Sequence, residues 1–233
     1  MSKLVTPRTR QIGMINTAII IGNGKSRDGV DLGRLSKNTT TFGCNALYRD
    51  WAADYLCVVD RAMKAELEKN FNQVFGQNND SFTTLIAANE EEEYEPSLMH
   101  GKNPVRPRNN AGMFAIMKAI EMGFERLYLI GFDFLAFDKT QVLSNMYEDT
   151  DCYGPETKTN LNDSRRRMEY FGWVLEQNPN VRFDIVFPEN LTVYAPNVDN
   201  VNLMYYDRLY NEFDLLEQEG DEIANLQISQ QGD

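Results

Sequence analysis

Thr17-Ala18-Ile19-Ile20-Ile21 is a continuous apolar run that ends abruptly in Gly22-Asn23-Gly24-Lys25-Ser26. A strand that is apolar on both faces has no side to offer to water, so it belongs inside a parallel sheet covered on both faces. Further short runs follow the same plan. Thr40-Thr41-Phe42-Gly43-Cys44 ends in Asn45, and Tyr55-Leu56-Cys57-Val58-Val59 ends in Asp60. Phe82–Ile86, Leu127–Ile130 and Val181–Phe187 are the remaining strand candidates, the second of them ending in Gly131-Phe132-Asp133-Phe134. Helical stretches are expected near residues 61–70, 112–122 and 162–177. In the 112–122 stretch Phe114, Met117 and Ile120 share one side, as packing on a sheet requires.

Apolar strands alternating with helices indicate an α/β fold, a Rossmann-like, mainly parallel sheet with helices on both faces. At 233 residues the chain is long enough for one large domain of this kind. We assign residues 1–203 to it. Residues 89–109, broken by Pro96, Pro104 and Pro107, read as a surface excursion whose Glu90–Glu93 run is solvated. Residues 135–160 are polar and turn-rich, long enough for a lid over a site. Residues 204–233 read as an acidic C-terminal helix and tail, packing on the domain or on a second copy as a homo-oligomer contact.

The net charge of −12 argues against nucleic acid as a partner, since such binders need a basic face. Arg106/Arg108 and Arg165–Arg167 instead read as local anion sites. The three cysteines, Cys44, Cys57 and Cys152, are odd in number and widely spaced, which suits a reducing, cytoplasmic setting. No window approaches a membrane span, and no Cys/His spacing suggests a metal site.

In an open parallel sheet ligands bind at the carboxyl ends of the strands. Gly22–Ser26, Asn45, Asp60 and Gly131–Asp133 occupy those ends. Gly22 and Gly24 permit a sharp turn and close approach to a ligand, Asn23 offers an amide to a phosphate oxygen, and a helix starting near Ser26 would add free N–H groups. The turn is neither a dinucleotide fingerprint nor a Walker loop. Arg108-Asn109-Asn110-Ala111-Gly112, ahead of a helix, is a second anion site in which a guanidinium adjoins backbone donors. Asp60 sits where many Rossmann-like sites place a carboxylate for ribose or metal.

Taken in order, Ile21–Ser26, Cys44-Asn45, Arg108–Gly112 and Leu127–Phe134 resemble the bacterial CMP-sialic-acid-dependent sialyltransferases, which carry G-N-G-P-S, C-N, R-x-x-S-G and I-Y-L-x-G-I-D-F. The resemblance spans about residues 17–135, with a weaker echo through 195. It extends to a wider group that includes archaeal pterin diphosphokinases and phage and bacterial proteins. For this chain it implies a CMP-linked nucleotide-sugar donor, transfer to an acceptor, and no required cofactor. By position, Asn23 and Asn45 would touch the nucleotide and its phosphate. Arg108, with Asn110, Ala111 and Gly112, would lie near the phosphate or donor sugar. Tyr147 and Tyr153 would hold the leaving phosphate.

Three departures stand out: Lys25 replaces the proline, Ala111 replaces the serine, and Asn162–Arg167 holds no histidine where the family places its general base. The single histidine, His100, precedes the arginine motif and reads as a surface residue. The base then falls to a carboxylate, Asp133 or Asp163, with Asp60 a further choice. Resemblance to the diphosphokinases implies instead ATP with Mg²⁺ held by Asp60 and Asp133. A third reading is a catalytically silent nucleotide-binding or interaction protein.

Overall fold

The computed structural model describes residues 16–37, 39–74, 83–103, 105–136, 144–155 and 160–214. Seven strands form one parallel sheet: β1 (Thr17–Ile21), β2 (Thr40–Cys44), β3 (Tyr55–Val58), β4 (Thr84–Ala87), β5 (Arg126–Ile130), β6 (Arg182–Phe187) and β7 (Val201–Tyr205). Their spatial order is β4-β3-β2-β1-β5-β6-β7, so the chain winds outward in one direction from β1 and then returns to start again at β5. The crevice where the order reverses lies between the tips of β1 and β5. Open α/β sheets of this kind bind their ligands there.

Every residue of β1 is buried, as its apolar run requires. Ala18 and Ile20 point to one face, where they meet Phe114 and Ile116 of α4 (Ala111–Glu121) and Phe171 of α5 (Leu161–Gln177). Ile19 and Ile21 point to the other, onto Leu32 and Leu35 of α1 (Leu32–Leu35) and Met63 and Leu67 of α2 (Arg61–Val74). A single helical turn, α3 (Ser97–His100), precedes α4. Among the described residues no helix is long and apolar enough to cross a membrane.

One expectation is corrected. Met204 and Tyr205, read from sequence as the start of a helix, complete β7, a strand that periodicity missed because it is half-buried and carries Asn202. Residues 206–214 are then helical, while 215–233 lie outside the described residues. This helix packs on its own domain: Leu209 and Phe213 are buried, and Phe213 meets Tyr128 edge-on at 5.3 Å. Phe82, read as the first residue of the fourth strand, also lies outside the described residues.

Candidate functional site

At the crevice the backbones of β1 and β5 touch. Gly22 N–H donates to Ile130 O at 2.8 Å and Gly24 N–H to Gly131 O at 3.0 Å. A Cβ on Gly22 would lie 2.5 Å from Gly131 O, and one on Gly131 would lie 2.8 Å from Gly22 O. Gly131 also sits at φ +73°, open mainly to glycine. The space at Gly22 and Gly24 is thus filled by the protein itself, for a Cβ on Gly24 would meet the Asp133 carboxylate at 2.2 Å. That carboxylate accepts from Ser26 N–H at 3.1 Å and from the Ser26 hydroxyl, closing the turn Lys25–Arg27. Burial raises the Asp133 pKa, and the Ser26 bonds oppose the rise. Arg27, unnoticed in the sequence, is only 5% exposed. Its Nε–H donates to Gly22 O at 2.8 Å.

Asn23, Asn45, Asp60 and Tyr153 converge beside this turn. Asn23 Nδ2 donates to Cys44 O at 3.0 Å and to the Tyr153 hydroxyl at 3.3 Å. Asn45 occupies the left-handed region, φ +44°, which asparagine tolerates better than most residues. That geometry turns its amide to the Asp60 carboxylate, to which Nδ2 donates. Tyr153 also bonds Asn45, and burial pushes its hydroxyl up to about 12. Asn23 Oδ1 is buried with no partner among the described residues. A buried acceptor without a donor is costly, so it is a natural point for a ligand N–H or O–H.

Residues 144–153 are fastened to the same turn. Lys25 N–H donates to Ser144 O at 3.1 Å and Met146 N–H to Asn23 O at 2.8 Å. The Tyr147 hydroxyl accepts from Arg27 Nη2 at 2.9 Å and donates to Asp50 Oδ2 at 2.6 Å. Arg49 holds Thr150 Oγ1 and Asp151 O, each at 2.8 Å. Tyr147 therefore belongs to the anchorage of this segment, whereas Tyr153 reaches the asparagines.

Arg108 lies outside this network. Its Nη1 donates to Glu93 Oε2 at 2.7 Å, and its guanidinium stacks 4.7 Å from the Tyr94 ring centroid. Glu93 is buried, contrary to the expected solvated run, and also takes Arg61 at 2.9 Å and Lys64 at 3.0 Å. Three cations on one carboxylate leave a net positive patch one residue from Asp60, with Arg61 67% and Arg108 54% exposed. Asn110 caps α4, its side chain accepting from Met113 N–H at 3.0 Å. Ala111 is buried, and a Cβ on Gly112 would meet the Phe132 ring at 3.0 Å.

Asp163 sits in the first turn of α5, in a capping box with Asn160. Its carboxylate and that of Asp60 both lie within electrostatic reach of Arg167, whose pKa burial lowers. His100 is not at the surface as expected: its side chain is 17% exposed and its Nε2 lies 2.8 Å from Glu95 Oε2. Among the described residues no three His, Cys, Asp or Glu side chains gather as metal ligands.

No protein-family model matches the chain, and no curated protein sequence does. Solved structures do. The sialyltransferase CstII of Campylobacter jejuni, solved with the substrate analogue cytidine-5′-monophosphate, is 15% identical over 87% of this chain and 99% of its own, at a TM-score of 0.48. Cst-I, the monofunctional α-2,3-sialyltransferase of the same organism, is 14% identical, with 95% of this chain and 98% of that one aligned at a TM-score of 0.50. The chain has a sialyltransferase-like Rossmann fold.

Proposed function

We propose that this chain binds a nucleotide-sugar, CMP-linked, and transfers the sugar to an acceptor hydroxyl. The convergence of Asn23, Asn45, Asp60 and Tyr153 at three strand tips and the lid carries the reading. It is supported by the motif order and by a fold shared with Cst-I, an α-2,3-sialyltransferase. In this reading Asn23 Oδ1 accepts from a ribose hydroxyl or base amine, and Asn45 and Asp60 complete the nucleotide pocket. The Tyr153 hydroxyl donates to the phosphate that departs. Arg108 and Arg61 face anionic groups of donor or acceptor, and Arg167 adds a cation from α5. Neutralising the departing phosphate in this way requires no metal ion.

The test is a melting-temperature panel with CMP, CDP, UDP, GDP, ADP and ATP, with and without Mg²⁺, followed by a CMP-release assay on the best donor. A ligand at one hundred times its dissociation constant adds about 2.7 kcal/mol, or roughly 5–10 °C for a chain of this size. A metal-independent shift with CMP is expected. A shift that needs ATP with Mg²⁺ would refute the proposal in favour of a diphosphokinase, and no shift with any nucleotide would leave a silent domain.

A further inference from the structure

Sugar transfer releases one proton from the acceptor hydroxyl, and a positioned group must take it. Glu95 is 1% exposed, and a buried carboxylate persists as an ion only when paired. Its Oε2 meets His100 Nε2 at 2.8 Å, and its Oε1 meets Arg166 Nε at 3.4 Å. When a neutral ring donates Nε2–H to the Glu95 carboxylate, Nδ1 keeps its lone pair. Among the described residues Nδ1 has no hydrogen-bond partner.

The pair also stands on the correct rim. Residues 88–103 follow the carboxyl end of β4 and residues 131–136 follow that of β5, while α4 and α5 begin at Ala111 and Leu161. In a parallel sheet these ends lie on the same side as the strand tips that carry Asn23, Asn45 and Asp60. A line of ion pairs joins the two places. Arg166 Nη2 lies 3.8 Å from Asp163 Oδ1, and Arg167 lies within reach of both Asp163 and Asp60. Meanwhile the carboxylates at the rim are already engaged. Asp133 accepts twice from Ser26, Asp163 accepts from Asn160 N–H, and Asp60 accepts from Asn45.

We propose that His100 is the general base of the transfer and that Glu95 is its positioning carboxylate; this rests on the donor reading above. The acceptor O–H proton passes to His100 Nδ1 as the acceptor oxygen forms its bond to the anomeric carbon. The bond from that carbon to the phosphate oxygen breaks, and CMP leaves with the electron pair. The imidazolium so formed is held by Glu95. The charged and titratable groups around the pair are Arg166, Arg106, whose Nη1 donates to Glu95 O at 3.1 Å, and Tyr170, which senses Glu95.

The experiment compares wild type, H100Q, E95Q and D163N in CMP binding, by melting shift, and in CMP release across pH. H100Q is expected to bind CMP as wild type does and to lose about 10²–10⁴-fold in kcat. Its kcat/KM should no longer rise through the pH range in which imidazoles titrate. E95Q should lower kcat with binding intact. Because the chain has one histidine, ¹⁵N NMR of wild type reads its tautomer without assignment, and Nε2–H is expected. Equal kcat in wild type and H100Q overturns the assignment, as does an Nδ1–H tautomer, or a loss confined to D163N. Absence of CMP binding by wild type overturns the donor reading itself, and the role of His100 with it.

Discussion

Replacing Gly22 by alanine tests whether the contact between the tips of β1 and β5 organises the crevice. The new Cβ would stand 2.5 Å from Gly131 O, 3.1 Å from Gly131 C and 3.3 Å from Ile130 O, all of them backbone atoms. None can rotate away, so a strand must retreat by close to an ångström to reach ordinary contact. Overpacking of this kind costs about 1–3 kcal/mol. The retreat also stretches the bonds from Gly22 N–H and Gly24 N–H, at about 0.5–1.5 kcal/mol each if lost. A total of roughly 2–6 kcal/mol follows, which at about 2–4 °C per kcal/mol lowers the melting temperature by roughly 4–24 °C. Thermal denaturation followed by circular dichroism measures it, with Gly172→Ala as control. Gly172 lies inside α5 with nothing within 4 Å of its would-be Cβ, so alanine there should stabilise by about 0.5–1 kcal/mol through helix propensity. If Gly22→Ala melts within about 2 °C of wild type, the strand tips are not in the contact described.

Asn45→Gly keeps the left-handed backbone but removes the amide, so the fold should hold while CMP binding weakens about tenfold in an equilibrium titration. Hydrogen bonds from Lys64, Arg108 and Arg61 hold the Glu93 carboxylate down to about 2 against the upward push of burial. A depressed carboxylate stabilises fully above its unfolded range and loses that contribution as pH falls towards its folded value. The melting difference between wild type and Glu93→Gln should therefore be constant above about pH 5 and shrink between about pH 4.5 and 2; a difference that survives below pH 2 would refute it. Burial pushes the Cys57 thiol up to about 12 and Cys44 well above the ordinary range. At pH 8 a thiol reagent should reach at most Cys152 in the native protein and all three cysteines in denaturant.

The sheet was legible where strands are buried on both faces, because nothing else accommodates Ala18–Ile21 or Leu127–Ile130. β7 was hidden by its partial exposure and by the helix that starts immediately after it. The strand-tip residues were legible as a set, since topology places them together whatever their side chains do. Their partners were not. Glu93 looks like any member of an acidic run, and only the folded chain brings Arg61, Lys64 and Arg108 onto it. Arg27 has the same character: its burial depends on a tyrosine 120 positions later. The glycines of the first turn were read as space left for a ligand, and that space is taken by Gly131 and Asp133, which local sequence cannot reveal. His100 was mistaken for a surface residue because its burial depends on Glu95, a single carboxylate just beyond the acidic run.

The turn at residues 22–27 is synthesised well before the residues that complete it. Ser26 is held by Asp133, 107 positions away, and Asn23 by Tyr153, 130 positions away. Tyr206 reaches the Ser26 carbonyl across 180 positions. Loops of that length close slowly, so the proposed nucleotide pocket forms only when the far half of the chain arrives. No early fragment can hold a ligand there, and a nucleotide added during refolding should bind only after the sheet has closed around β1. Occupancy of the pocket would then report that folding is finished.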